Sequence, residues 1–253
     1  MHEKNDLVKR IINEFLGAIC IAKKDIGRYY LQPPVIMMGF FFPGFTYLAF
    51  TVGRSIEPVL LIPGLTAITS FFAAGSIGPS ILPLERKTKT LERLLSAPIS
   101  PFTIILGKTL SGFVFGLAMS LVPLLIGVTL LGMGIANLLP LALSVVLSAL
   151  TFSAFGVLFA ARAQEIPSAM VPMNLIRLPM LFVSGVFVPL KTMASFLRPI
   201  AYLMPLTYAV DAMRQSALGP LNPTMLLADI GSLGLFLALF LALATRALHR
   251  DIC

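Results

Sequence analysis

Six apolar runs divide the chain, at residues 35–52, 59–81, 102–131, 138–161, 168–188 and 226–248. Each is about as long as the roughly 20 residues an α-helix needs to cross a bilayer. In lipid every backbone amide must find its partner within the protein, so only helices or a closed barrel can span. Barrel strands would alternate polar and apolar side chains over about ten positions, and no segment here does so. Composition agrees, with 57% hydrophobic and 12% charged residues, against about 45–50% and about 25% in soluble domains. The sequence therefore predicts an all-α integral membrane protein with six transmembrane helices, organised as a single transmembrane domain over residues 1–253.

Lysine and arginine set the expected orientation, because cytoplasmic loops are enriched in both. With the N-terminus inside, thirteen of them (Lys4, Lys9, Arg10, Lys23, Lys24, Arg28, Arg86, Lys87, Lys89, Arg93, Arg162, Arg246 and Arg250) fall on the cytoplasmic side and four (Arg54, Lys191, Arg198 and Arg214) outside. Both termini are thus expected in the cytoplasm of a plasma-membrane protein. The formal charge of +8 reflects this bias and not a nucleic-acid footprint, since no basic patch is interleaved with stacking aromatics. Cys20 and Cys253 both lie on the expected cytoplasmic side, which argues against a disulfide, and neither they nor His2 and His249 have metal-ligand spacing. No catalytic residue, resident cofactor or metal is expected. Lys108, two turns into the third run, reads as an anchor whose ammonium snorkels to the headgroups.

Two segments are neither spans nor simple loops. Residues 1–32 hold six Lys/Arg and no uninterrupted apolar core, which predicts a retained helix and not a cleavable leader. Leu7, Ile11, Ile12, Phe15, Leu16 and Ile19 share one face of it, as expected of a helix lying in the membrane interface. Residues 189–223 are too apolar for an open loop and too interrupted by Pro199 and Pro205 for a crossing. They predict short outer re-entrant helices covered by protein or water.

Residues 85–97, ERKTKTLERLLSA, join a charged run to an apolar stripe. Leu91, Leu94 and Leu95 recur at helical spacing, and Pro98 and Pro101 stop the helix before the next span. The stripe is too small for a core of its own, so it is expected on the membrane surface or in a partner's groove.

Glu85-Arg86, Thr90-Leu91-Glu92, Leu94-Leu95 and Pro98-Ile99-Ser100 resemble the cytoplasmic loop of the type-2 ATP-binding-cassette (ABC) exporter permeases. One departure is that the family commonly has Gly where Lys89 stands. PMLFVSGVFVPL (179–190) followed by PLTYAVDAMR (205–214) is similar to the fifth-span and outer-helix signature of the same family's drug- and lipid-export branches. The resemblance implies a dimer, with a second copy or a paralogue, held in membrane lipid and clamped onto two ABC ATPase subunits that bind ATP and Mg. It makes residues 85–97 a coupling helix, with Glu85, Arg86, Leu91, Glu92, Leu94 and Leu95 as coupling residues. It also places Tyr208, Asp211 and Arg214 at the outer gate, and implies export of an amphipathic or hydrophobic molecule, drug-like or lipid-like, with lipid-linked glycan as an alternative. The chain itself has no phosphate loop: LGKTLSG (106–112) mimics the end of one, but Phe102 stands where the first glycine is required.

Arg177 lies near the middle of the fifth run, where a charge is expensive and by default functional. It lines a substrate path with Asn174, or else it caps carbonyls freed by Pro179 or pairs with an acid of a neighbouring span. Gly112 and Gly116 permit close helix approach, and packing within the subunit is the expected use. The phenylalanines of FFFPGF (40–45) and SFFAAG (70–75) either line a path for amphipathic substrates or, as is commoner, face lipid. Asp211 and Arg214 are expected to pair. An ion-coupled or passive carrier is the rival reading, but it needs a row of polar residues within the spans that is missing apart from Arg177, Asn174 and Lys108.

Overall fold

A computed structural model describes residues 2–30, 37, 41, 44–45, 58–97, 99–187 and 193–252. Its main elements are the helices α1 (His2–Tyr29), α2 (Pro58–Lys87), α3 (Thr90–Leu95), α4 (Pro101–Thr129), α5 (Leu138–Ala160), α6 (Ile166–Val183), α7 (Leu197–Tyr202), α8 (Pro205–Leu218) and α9 (Pro223–Ile252). No strand occurs among the described residues. Five helices, α2, α4, α5, α6 and α9, are long and apolar enough to cross a membrane. The expected span at 35–52 lies outside the described residues except for single positions within it.

Local chemistry sets the boundaries. Ser100 caps α4 by accepting from the Thr103 amide at 3.2 Å, and Pro101 occupies the first turn, where its missing N–H costs nothing. α6 begins with a capping box between Glu165 and Ser168. The second span runs on through Lys87, so Glu85 and Arg86 belong to the end of α2, and the short helix expected at 85–97 is confined to Thr90–Leu95.

α2 is the axis of the bundle. Its apolar window is 94% buried, against 39% for α4, 28% for α6 and 22% for α9. α4 and α5 flank it, α1 lies along α4, and α9 packs on α5. The outer helices expose Leu125, Val171, Leu175, Phe182 and Leu235, the arrangement a lipid solvent requires.

Because lipid supplies no hydrophobic drive between helices, close packing through small residues does the work. A Cβ on Gly116 would lie 2.4 Å from the Ala74 methyl, and one on Gly156 only 2.1 Å from the Gly75 carbonyl. That carbonyl is the one Pro79 leaves without its helical donor, so α5 approaches α2 where the α2 ladder is broken. The Gly112–Gly116 pair thus packs within the subunit, against α2 and α5. Hydroxyls inside the spans return to their own helices, as Thr66 does to Ile62 O and Thr109 to Ile105 O, or cross, as Ser153 does to Thr109 O at 2.7 Å.

Phe71 and Phe72 correct the sequence expectation. Both are buried, with Phe71 against Phe152 and Phe155 at ring distances of 4.8 and 5.9 Å, so they form the core and do not face lipid. At the end away from α3, the amides of Ala136 and Asn137 donate to the Ala217 and Ser216 carbonyls, fastening the α4–α5 loop to α8.

Gly156→Ala is expected to cost about 1–3 kcal/mol, the usual range for overpacking, seen as a lower melting temperature of the solubilised chain. Gly134→Ala, where a Cβ meets nothing within 4 Å, is expected to leave the melting temperature unchanged.

Candidate functional site

α3 sits at one end of the bundle, between α2 and α4. Leu91 is 1% exposed and joins Leu82, Ile104, Ile105 and Leu248 in a separate apolar cluster, with Leu94 and Leu95 half-buried at its edge. The stripe therefore seats α3 on its own bundle, which corrects the expectation of a membrane surface or a partner's groove. What α3 presents outward is polar: Lys87, Thr88, Lys89, Glu92, Arg93 and Ser96 are exposed. Lys89 has φ 56° and is the one non-glycine residue with positive φ among the described residues. That is the left-handed region in which glycine is favoured, so the position where the resemblance expects Gly is one whose backbone asks for it. Arg86 donates to the Ala161 carbonyl, joining the end of α2 to the end of α5.

Beneath α3 lies a buried ion cluster. Lys108 Nζ of α4 donates to Asp25 Oδ2 of α1 at 2.8 Å and to Glu85 Oε2 of α2 at 2.5 Å. Lys24 donates to the other Glu85 oxygen and stands 3.2 Å from Asp25 Oδ1. Two cations thus face two anions, which is how charges are kept inside a protein. Asp25 and Glu85 are fully buried and Lys108 is 1% exposed, so Lys108 does not snorkel to the headgroups as its place in the third run suggests. Burial opposes the charge on Lys24, but its hydrogen bond to Glu85 and the field of Asp25 outweigh that and hold its ammonium above the ordinary value. A raised lysine stabilises below its unfolded value of about 10.4 and loses that contribution as pH rises through the folded one. The ammonium of Lys24 is therefore charged at neutral pH.

Tyr30 adds a second tie between the end of α1 and α4. Its hydroxyl donates to the Ser111 carbonyl at 2.5 Å and its ring meets Phe115 edge-on at 4.9 Å. Burial pushes the phenol up to about 12, partly offset by that hydrogen bond. Along the rest of α1, Ala18 and Ile21 pack on α4, where a Cβ on Gly107 would meet Ile21 Cβ at 2.8 Å, while Phe15, Leu16 and Ile19 stay exposed.

Arg177 is fully buried against α2. Its guanidinium donates to Ser76 Oγ at 3.3 Å and to Met173 Sδ at 3.4 Å, with Cζ 4.9 and 4.8 Å from the Phe71 and Phe72 ring centroids. No carboxylate lies in salt-bridge range of it among the described residues, and it does not cap a carbonyl freed by Pro179. Asn174, three residues earlier, has a buried Oδ1 without a partner.

Tyr208, Asp211 and Arg214 share one face of α8 at the opposite end. Tyr208 donates to the Tyr202 carbonyl at 2.6 Å. Arg214 turns to the Gly185 and Val186 carbonyls, at 3.4 and 3.3 Å, and so ties α8 to the end of α6, while its charge also acts on Asp211. Burial raises the Asp211 carboxyl, and the nearby Arg214 charge offsets part of that rise.

The described geometry is that of a short helix with an exposed polar face mounted on a bundle of apolar helices. A sequence profile described as ABC-2 type transporter matches residues 19–218. The chain belongs to the ABC-2 type transporter family. Over 235 residues it is 25% identical to the inner membrane transport permease YadH of Escherichia coli K12, covering 87% of each chain. It is 32% identical over 134 residues to the inner membrane transport permease YhhJ of the same strain, covering 52% of this chain and 36% of that one. It is 22% identical over 182 residues to the probable multidrug ABC transporter permease YbhR, covering 72% of this chain and 47% of that one. This ABC-2 chain is thus a multi-pass membrane protein of the permease class. Its ion cluster is the feature that sequence reasoning missed, because the partners of Lys108 stand 83 and 23 residues away. The one available signal was three charged positions that topology places near the same membrane face.

Lys108→Met leaves two adjacent carboxylates buried with only Lys24. It is expected to destabilise the chain by about 3–5 kcal/mol, the usual cost of breaking a buried ion pair. Adding Asp25→Asn and Glu85→Gln to the same chain should restore most of the melting temperature, a non-additivity that independent sites would not show.

Proposed function

We propose that this chain is the membrane-spanning subunit of an ABC exporter that moves an amphipathic or hydrophobic molecule out of the cytoplasm or inner leaflet. Two copies, or this chain and a paralogue, would stand on two ABC ATPase subunits that bind ATP and Mg. The α3 end faces the cytoplasm together with both termini, α1 lies in the inner interface on its exposed Phe15, Leu16 and Ile19, and α7 and α8 dip into the outer leaflet. All of residues 1–253 form one transmembrane domain.

The observation that carries this reading is the mounting of α3. Its outward face is charged and exposed, its inward face is locked to the ends of α2 and α4, and those ends are tied through Glu85 and Lys108 to α1. A push on Glu92 and Arg93 therefore reaches two spans and the interfacial helix at once. Glu85, Arg86, Leu91, Leu94 and Leu95 transmit the push, while Glu92 and Arg93 receive it. The name of the relative YbhR, a probable multidrug permease, supports a drug-like cargo.

The test is affinity purification from native membranes, comparing the wild type with a Glu92→Arg/Arg93→Glu variant. An ABC ATPase is expected to accompany the wild type and to be lost from the variant without a change in melting temperature. A folded wild type that carries no ATPase would overturn the reading.

A further inference from the structure

Arg177 is a cation without a counter-ion among the described residues. It lies eleven residues into α6, about 16 Å along the axis at 1.5 Å per residue, which is close to the middle of the bilayer. Charges at that depth pair with one another or with polar backbone. Among the described residues this one is held by a hydroxyl, a thioether and two ring faces, its hydrogen bond to Ser76 is long, and its Nε is buried without a partner.

Among the described residues no acid of the spanning helices is placed to serve. Those helices hold three carboxylates, Glu85, Asp229 and, in the last turn of α9, Asp251. Glu85 is taken by Lys24 and Lys108 at one end. Asp229 lies six residues into α9 and accepts from Gln215 of α8 at the opposite end. Residues 35–52 contain none. A second copy of this chain therefore brings no carboxylate to the depth of Arg177 either.

The surroundings of the guanidinium fit a parked group that later meets an anion. It rests over Gly75, where a Cβ would stand 2.2 Å from Nη2, so α2 offers it a recess and no anchor. The ring faces of Phe71 and Phe72 hold the cation through their quadrupoles alone and leave its charge uncompensated, which an anionic ligand would neutralise. Asn174 adds an amide on the next turn. Pro172 and Pro179 bracket Arg177 within α6, and each removes a helical hydrogen bond, which lets this span bend away from α2 and open the recess.

We infer that Arg177 binds an anionic group, a phosphate or carboxylate, carried by an amphipathic molecule at mid-membrane depth, with Asn174 beside it. The planar fork of the guanidinium suits both anions through two parallel hydrogen bonds. The inference deepens the permease reading and rests on it for the fate of the bound molecule, but not for the binding itself.

The test uses the full chain in phosphatidylcholine nanodiscs, titrated with dodecyl phosphate, dodecanol and dodecyltrimethylammonium. The wild type is expected to bind dodecyl phosphate at least tenfold more tightly than the other two. Arg177→Gln should abolish that preference, and Arg177→Lys should keep only part of it, having the charge without the fork. Repeating the titration with phosphatidylglycerol in the nanodisc separates two sources of the anion: competition makes it a lipid headgroup, and its absence makes it a free amphiphile. Equal binding of the three probes by the wild type overturns the inference without recourse to any variant, as does an unchanged preference in a folded Arg177→Gln chain. None of these readouts involves an ATPase, so failure here and failure to recover a partner ATPase are separate results.

Discussion

Lys108 cannot remain charged inside the bundle unless Asp25 and Glu85 come to it, and much of the architecture follows from that demand. The three residues stand on α1, α4 and α2. Satisfying them fixes the depth of the N-terminal helix, the relative register of two spans, and the floor on which α3 rests. Because removing one member leaves others buried and unpaired, the arrangement is close to all-or-none. Arg86 and Tyr30 extend the same set of ties toward α5 and along α4.

Away from this end the bundle is held differently. α2 carries Pro63, Pro79 and Pro83, and its neighbours touch it through Ala74, Gly75 and Gly78. Close backbone approach at these positions stands beside the interlocked rings of Phe71, Phe152 and Phe155. α6 has two internal prolines and an Arg177 that holds no carboxylate among the described residues.

Much of this was legible in the sequence, and the rest was hidden for identifiable reasons. Run length located five of the helices, since lipid leaves a long apolar segment almost no other choice. The extension of α2 through Glu85 was hidden by prolines that normally end helices in water. Leu91, Leu94 and Leu95 showed their helical spacing, but spacing cannot say which surface a stripe covers, and the covering residues Leu82, Ile104 and Leu248 stand on three different spans. Lys108 read as a surface anchor because its partners are far away in the chain. Arg177, by contrast, stood out at once, since nothing in an apolar run explains a guanidinium.

If α3 couples the partner ATPase to the spans as proposed, α1, α3 and the adjoining ends of α2 and α4 move as one body when the ATPase acts. Spin labels at Lys23 and Ser96, both exposed, in a chain with Cys20 and Cys253 replaced by serine and diluted with unlabelled chain, report this by pulsed electron resonance in the reconstituted complex. On trapping with ATP and vanadate, the Lys23–Ser96 distance should stay constant while the distance from Ser96 to a label at Leu203, at the other end, changes. A shift between Lys23 and Ser96 themselves would show that this end does not move as one body.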